Sequence, residues 1–209
     1  MTTGFKTTIT TVADASIWTG TCYMDLINPN PAEIHLSDIA RALSRIARFN
    51  GLSNHFYSVA EHSVLCVRVF ENHAAGDIFS DPWLRDIARD ILLHDAAEAY
   101  LGDVTSPLKA HLPDYRRLEA RMESAVSARF DLAATAPEWV KRCDLEMLAV
   151  EKAALLPGAG HWPIISDVRA AAVNLWCDTP EAAERRFLDM ANRLGLVNQF
   201  HLITKTGEV

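Results

Sequence analysis

The chain has 209 residues, 49% of them apolar and 22% charged, which is the profile of one globular domain rather than a disordered chain. Its formal net charge of -7 excludes the broad basic surface that grips a nucleic-acid backbone, so we expect no nucleic-acid partner. The four cysteines form no C-x-x-C pair, and neither a secretion signal nor a run of about 18 apolar residues is present, so we expect a cytoplasmic protein without membrane contact.

The first 36 residues predict an irregular arm instead of a helix. They contain the β-branched run "TTITTV" and the turn formers of "INPNP", with little helical periodicity. A short hairpin is the regular structure that such a segment can hold. We therefore assign residues 1–36 to an N-terminal arm and residues 37–209 to a helical domain.

Helix-start signals dominate the chain after the arm. Ser37 is placed to cap "DIARALSRIARF", and Ser58 with Glu61 forms a capping-box pattern ahead of "HSVLCVRVF". The later helices begin at a proline or a capping residue and stop at a glycine where one follows. These signals predict five to seven helices in one compact all-α domain. The later helices are predicted to begin at Asp81 and Pro82, at Pro113, at Pro137, and at Thr179 and Pro180. The first of these ends near residue 101 at Gly102, and the last ends at Gly195.

Ionisable side chains lie on the apolar stripes of three of these helices. His94 and Glu98 share one buried stripe at a spacing of four residues, and Asp95 lies about 100° round the helix from His94. His62 points inward from an apolar face of the preceding helix. Asp144 occupies an apolar row of a third helix. Three helices therefore each present metal-ligand side chains toward the core.

A bound metal ion explains this pattern best. Taken singly, His62 has a simpler explanation as a hydrogen-bonded core histidine, and Asp144 as a partner of Lys141 or Arg142. Burying several ionisable groups without partners costs several kcal/mol each, by order of magnitude, and one divalent cation removes the cost for all of them. Two imidazoles and two carboxylates suit Mn, Fe, Co, Ni or Zn better than Ca or Mg.

The order His62, then His94 and Asp95, then Asp144 resembles the H…HD…D signature of the HD-domain superfamily of metal-dependent phosphohydrolases. The resemblance covers about residues 37–155 and includes "FYSVAEHSV", "LLHDAAEAYLGDV" with "SPLK", and "KRCD" in that order. It implies a single compact HD-domain helical bundle in which these four residues hold one divalent ion.

Within the superfamily the sequence looks most like the bacterial 5'-deoxynucleotidases and the small phage-type nucleotide phosphohydrolases. In those enzymes an HDxxE motif is followed by GD and by a Pro-Lys segment. The matching residues here are His94, Asp95 and Glu98, then Gly102 and Asp103, then Pro107 and Lys109.

The resemblance implies hydrolysis of 5'-deoxynucleoside monophosphates by attack of metal-bound water. Glu98 would assist that water, and an arginine ahead of the first metal histidine would bind phosphate. Arg48, followed by Phe49, is the best match for this arginine, and Arg45 is the second choice. Asp103 would hold either Arg48 or the sugar.

Two further residues complete the group expected to contact substrate. Lys109 belongs to the Pro-Lys segment, and His55 lies in "LSNHFY", just before the first metal helix. Arg48, Phe49 and Asp103 form the rest of this group.

Two other functions remain open from the sequence. One is hydrolysis of deoxynucleoside triphosphates, and the other is a non-catalytic nucleotide-binding or regulatory HD module. Hydrolysis of ppGpp or a cyclic dinucleotide fits less well, because the extra histidines and the GYP-type segment of the cyclic-dinucleotide branch are missing. We also expect a homodimer, since "AAVNLW" and "EAAERRFLDMANRL" read as late helices with more apolar surface than a minimal core needs.

Overall fold

The computed structural model describes residues 15–196, and the chain in this range is mostly helical. A small two-stranded sheet distinguishes it from a purely all-α architecture. Within this range no helix combines the length and the apolar character that crossing a bilayer requires. The helices are α1 (Leu36–Leu43), α2 (Val59–His73), α3 (Pro82–Leu93), α4 (Glu98–Leu101), α5 (Ser106–Lys109), α6 (Pro113–Phe130), α7 (Pro137–Leu155) and α8 (Pro180–Arg193).

The sheet is a short antiparallel hairpin formed by two strands, β1 (Ser16–Trp18) and β2 (Tyr23–Asp25). Its turn is fixed to α1, because the hydroxyls of Thr19 and Thr21 both donate to Oδ2 of Asp38. Met24 is fully buried in the main core. The described part of the N-terminal arm is therefore packed on the helices, whereas the "TTITTV" run lies outside the described residues.

Helix α2 forms the centre of the core and contacts α1, α3, α7 and α8. Its N-terminus is capped by Ser58, whose hydroxyl accepts a hydrogen bond of 3.2 Å from the Glu61 backbone N–H. The Glu61 side chain does not complete the capping box that the sequence predicts. Instead its buried carboxylate accepts backbone N–H groups of Trp176, Cys177 and Asp178, at 2.7 to 2.9 Å. Glu61 thus fastens the segment before α8 to the start of α2.

The first predicted helix is shorter than expected and begins two residues earlier. Residue 35 is its N-cap and makes no side-chain hydrogen bond, so the prediction that Ser37 is the cap is wrong. The helix ends at residue 43 because the following chain bonds to the segment ahead of α2. Ala47 forms a bridge with Ser58, and Arg48 N–H donates to the Tyr57 carbonyl at 2.9 Å.

The predicted continuous helix over residues 82–101 is interrupted after Leu93. Over the next five residues the backbone N–H groups of Ala96 and Glu98 bond to carbonyls three residues back instead of four, at 3.0 Å. This tightening is typical of a 3-10 turn and often marks a functional position inside a helix. The turn holds His94 and Asp95, and α4 follows it up to Gly102, which ends the helix at φ 79° as expected.

Most of the later boundaries agree with the sequence. The Asp81 carboxylate caps α3, Pro113 and Pro137 open α6 and α7, and Thr179 caps α8. The prediction of a helix at "AAVNLW" is wrong, since residues 171–176 are not helical. The buried apolar residues of α8 pack within the same protomer, which weakens the argument for a dimer, and the dimer stays a prediction.

Candidate functional site

A cleft of about 900 Å³ opens beside the start of α2 and the tightened turn after α3. This size lies in the range of small-molecule sites, and one part of its wall is polar while another is apolar. The polar part contains Arg48, Asp95, Glu98, Asp103, Lys109, Lys141 and Asp144. A second cavity of about 440 Å³ borders the same centre from the side of His94 and also touches Asp95 and Asp144.

His62 and His94 lie behind the cleft residues Asp95 and Asp144, and each is held through its Nδ1 atom. Nδ1 of His62 hydrogen-bonds Oε1 of Glu151 at 2.6 Å, and Nδ1 of His94 hydrogen-bonds the Ile91 carbonyl at 2.8 Å. The ring centroids are 5.3 Å apart. Each imidazole therefore presents Nε2 to the space between the rings, as metal-binding histidines do when Nδ1–H is held by an acceptor.

Both predicted carboxylates point to this space. Oδ2 of Asp95 lies 3.7 Å from Nε2 of His62 and 3.2 Å from Nε2 of His94, and Oδ1 of Asp144 lies 3.6 Å from Nε2 of His62. Ligand atoms about 2.1 Å from one ion are roughly 3.0 to 3.6 Å apart, so these three separations are close to those around a single ion. The other Asp144 oxygen pairs with Lys141 at 3.2 Å, so the ligand and ion-pair explanations of Asp144 are compatible.

The charged groups of this centre favour positive charge between them. Burial lowers the pKa of His94, but Asp95, together with Asp144 and the Ile91 carbonyl, outweighs that effect and raises the pKa to about 9. Burial raises the pKa of Asp95, yet His94, His62 and Arg48 together hold it well below its usual range. Nε2 of His94 is buried and has no hydrogen-bond partner, although it lies close to Asp95. Without a cation, the raised pKa favours a proton on the His94 imidazole.

Glu151 belongs to this candidate site, and the sequence motifs do not single it out. It is fully buried on α7, where Oε1 accepts from Nδ1 of His62 and Oε2 from Nη2 of Arg48 at 2.9 Å. Burial raises the pKa of Glu151, while Arg48 and His62 outweigh it and lower the pKa to about 2. The available signal was its spacing, since Glu151 follows Asp144 by seven residues and so lies two turns further along the same face.

The structure places the two candidate phosphate arginines very differently. Arg48 lines the cleft, with Nη1 3.7 Å from Oδ2 of Asp95 and its side chain 12% exposed. Arg45 points away from the cleft to Glu184 at 2.7 Å and is 44% exposed. Arg48 forms its ion pairs with Glu151 and Asp95, so the expected pairing with Asp103 is not formed.

The backbone beside Arg48 adopts an uncommon conformation. Phe49 and Asn50 have φ angles of 55° and 54°, in the left-handed region that costs a non-glycine residue roughly 1–2 kcal/mol. Such strain persists where the surrounding structure fixes it, often at functional sites. It directs both Arg48 and Phe49 into the cleft, with the guanidinium 5.3 Å from the Phe49 ring centre.

Glu98 lies on the cleft wall at the start of α4. The residue is 7% exposed, and its Oε2 atom has no hydrogen-bond partner. Burial is the main cause that raises its pKa to about 9, and the nearby Asp95 and Asp103 carboxylates add to it. Burial also raises the pKa of Asp103, which lines the same wall. A bound cation would lower the pKa of Glu98 and free it to act as a base.

The remaining predicted contact residues divide into two groups. Phe49 and Lys109 line the cleft, and Lys109 forms an ion pair with Glu119 of α6. His55 is exposed and is absent from the cleft wall, so its predicted contact with substrate is not supported by its position. Sequence proximity to α2 was a poor guide for His55, because the loop turns its side chain outward.

Cys66 adds a donor that the sequence reasoning left out. It lies one turn after His62 on α2, with Sγ 3.5 Å from Nε2 of His62, and His62, Cys66 and His94 together form a compact group that could hold a metal ion. Burial raises the pKa of this thiol well above its usual range. Two donor sets therefore share the histidines, one completed by Cys66 and the other by Asp95 and Asp144.

The fold and the cleft define a mostly helical protein with a buried histidine–carboxylate centre. The chain is 36% identical to the uncharacterized protein YfdR of Escherichia coli (strain K12) over 174 residues, which are 82% of this chain and 89% of YfdR. It is also 39% identical to the uncharacterized protein RCAP_rcc00048 of Rhodobacter capsulatus over 122 residues, 57% of this chain and 59% of that protein. No protein-family model matches the sequence. The chain belongs to the YfdR family.

Proposed function

We propose that this protein is an HD-domain, divalent-metal-dependent phosphohydrolase that acts on nucleotides, with 5'-deoxynucleoside monophosphates as the preferred substrates. The observation that carries the proposal is that two imidazoles turn the same nitrogen, Nε2, toward a carboxylate of the cleft wall. Both Nδ1 atoms are held by acceptors, and both Nε2 atoms lie within 3.7 Å of the same Asp95 oxygen. The fit of these donors to Mn, Fe, Co, Ni or Zn supports a resident cation.

The chain supplies the other groups that phosphate ester hydrolysis needs. A divalent ion held by His62, His94, Asp95 and Asp144 would provide Lewis-acid activation of the phosphate and of water. Glu98 faces the same cleft with an unpartnered Oε2, and it accepts the proton of the attacking water.

Arg48 stabilises the phosphate in this proposal. Glu151 engages Nε and Nη2 of the guanidinium, and Nη1 remains beside Asp95 at the cleft wall. A planar guanidinium fixed in this way needs no reorganisation to bind phosphate oxygens, which favours charge stabilisation in the transition state.

The charge of the cleft favours a monophosphate over a triphosphate. The cleft wall contains three cationic residues, Arg48, Lys109 and Lys141, and each already pairs with a carboxylate of this chain. A triphosphate carries more negative charge than one divalent ion and three neutralised cations can balance. A monophosphate requires less positive charge from the cleft, so hydrolysis of triphosphates is the second candidate function.

A phosphate-release screen tests the function. The protein is loaded separately with Mn, Co, Ni and Zn and assayed with deoxynucleoside mono-, di- and triphosphates. We expect release from the monophosphates to be fastest with at least one of the metals. If no nucleotide releases phosphate while metal is bound stoichiometrically, the proposal is overturned in favour of a nucleotide-binding or regulatory module.

Metal analysis of variants tests the ligands. The His94→Ala/Asp95→Ala double variant should lose stoichiometric metal, whereas full retention means that the ligands are assigned wrongly. Asp144→Asn and Cys66→Ser then separate the two donor sets. We expect Asp144→Asn to weaken metal binding and Cys66→Ser to leave it close to wild type.

A further inference from the structure

The cleft continues beyond the polar groups into an apolar wall that the proposed chemistry does not use. This wall is formed by Phe49, Leu52, Leu156, Trp162 and Ile164. Trp162 is half-buried, and its indole ring centroid lies 6.3 Å from that of Phe49 with the planes inclined at 56°. Leu52 and Ile164 at the rim are 80% and 56% exposed. Apolar and aromatic side chains are thus left open to solvent next to a charged centre.

We propose that Trp162, together with Phe49, forms the nucleobase-binding site of this cleft, and this inference rests on the proposed action on nucleotides. With the phosphate at Arg48, the base of the same molecule must lie elsewhere in the cleft. The apolar wall matches a flat aromatic ligand, because bases stack on aromatic side chains with little regard to sequence. The inclined rings do not form a parallel slot, so the base stacks on one ring and contacts the other at its edge.

The indole is held in place by a cation–π contact and by the packing of the turn that follows it. Nζ of Lys152 on α7 lies 5.9 Å from the Trp162 ring centre, within the range of a cation–π contact. Trp162 also starts a 3-10 turn at Pro163–Ile165 that packs on α7, the helix that supplies Asp144. One helix therefore positions both the metal ligand and the aromatic wall, which fixes the separation between them.

Phe49 gives the second link between the two ends of the cleft. It follows Arg48 directly, and its positive φ places it on the same wall as its neighbour. A single segment can thus contact the phosphate through residue 48 and the base through residue 49. Trp162 adds the second aromatic contact, and it lies in a part of the chain that the resemblance to HD domains does not cover.

Comparison of a nucleotide with its base-free analogue as substrates tests the inference. For each variant, kcat/KM is measured with deoxyadenosine 5'-monophosphate and with 2-deoxyribose 5-phosphate, and the ratio is compared with wild type. We expect Trp162→Ala to lower this ratio by about 10- to 100-fold, mainly through KM for the nucleotide, as loss of one stacking contact does. Trp162→Phe should restore most of the ratio, while Trp162→Leu should not. Trp83→Ala is the matched control, because Trp83 is 54% exposed and lies outside the cleft.

A second measurement keeps the inference separate from the proposed hydrolysis. Binding of deoxyadenosine, which has no phosphate, is measured by calorimetry for the wild type, Trp162→Ala and Trp162→Phe. A dissociation constant at least tenfold weaker for Trp162→Ala supports the base site even if no nucleotide is hydrolysed. An unchanged dissociation constant, or an unchanged kcat/KM ratio in a folded Trp162→Ala protein, overturns the base site and leaves the proposed hydrolysis standing.

Discussion

Glu151→Gln should disturb the proposed metal centre, although Glu151 is not one of the proposed ligands. Each carboxylate oxygen of Glu151 serves one partner, His62 at 2.6 Å and Arg48 at 2.9 Å. Glutamine can give only one oxygen. If that oxygen faces Arg48, the amide N–H₂ faces Nδ1 of His62 and moves the imidazole proton to Nε2, which the metal needs free. If the glutamine oxygen faces His62 instead, its amide N–H₂ faces the N–H groups of Arg48, and two donors then lie against each other without an acceptor.

The cost of this substitution follows from the burial of the pair. Arg48 and His62 lower the pKa of Glu151 from 4.5 to about 2 against the opposing effect of burial, which corresponds to about 3 kcal/mol of stability. Removing one member of a buried ion pair typically costs about 3–5 kcal/mol, and the amide retains one hydrogen bond, so we expect about 3 kcal/mol. For a chain of this size, that is a fall in melting temperature of about 6–12 °C. Loss of a histidine-orienting partner should weaken metal affinity about 10- to 100-fold.

Thermal unfolding of metal-free protein and chelator competition measure the two effects separately. The stability supplied by the low pKa of Glu151 is present above pH 4.5 and is lost as the pH falls toward 2, so the gap between wild type and variant should narrow below pH 4.5. Glu146→Gln is the control, since Glu146 also lies on α7 between a histidine and an arginine, His73 and Arg142, but outside the cleft. Equal metal affinities for wild type and Glu151→Gln would refute the orienting role.

Three further variants or conditions test the rest of the centre. Glu98→Gln should keep metal and nucleotide binding and lose turnover by about 100-fold or more, and normal turnover would remove Glu98 as the base. Arg48→Ala should lower nucleotide affinity and kcat, and also the melting temperature, because it leaves the buried Oε2 of Glu151 without its partner. Arg45→Ala should do less, and a larger effect of Arg45→Ala would show that the wrong arginine was assigned. Metal affinity measured by titration calorimetry should rise with pH up to about 9, because the raised pKa of His94 keeps a competing proton on the ligand at lower pH; a flat profile from pH 6 to 9 would contradict this.

Helix boundaries and donor residues could be predicted from the sequence because both depend on local chemistry. Asp81 has a short side chain that caps backbone N–H groups, and Pro137 fixes the φ angle of a first helical turn, so each marks a helix start wherever the helix lies. His94 and Glu98 could be placed inside the protein because the 3.6-residue period puts them in line with buried isoleucines. The assignment of His62, His94, Asp95 and Asp144 to one ion stays a prediction, which their geometry supports.

The tertiary structure decided how these local elements share partners. Ser37 has the chemistry of a cap, but α1 begins ahead of it, at Leu36. The pairing of Ala47 with Ser58 sets where α1 stops and turns Arg48 toward the cleft. Glu61 has the spacing of a capping box, yet three N–H groups from residues 176–178 take its carboxylate. Such long-range contacts leave no periodicity in the sequence, because a donor more than 100 residues away can satisfy a buried acceptor as well as a neighbour can.

Glu151 and Trp162 show the same difference between local sequence and long-range packing at the candidate site. In the sequence, Glu151 is one more charged residue on a helix, and only the fold brings Arg48 and His62 to its two oxygens in a position from which water is excluded. Trp162 lies in a segment without motif, and its place opposite Phe49 results from packing of its turn on α7. The sequence by itself determined which side chains can bind a metal or start a helix, since those properties belong to single residues and their near neighbours. Which side chains meet was decided by the packing of distant helices, because burial forces each charged group to find a partner wherever the fold provides one.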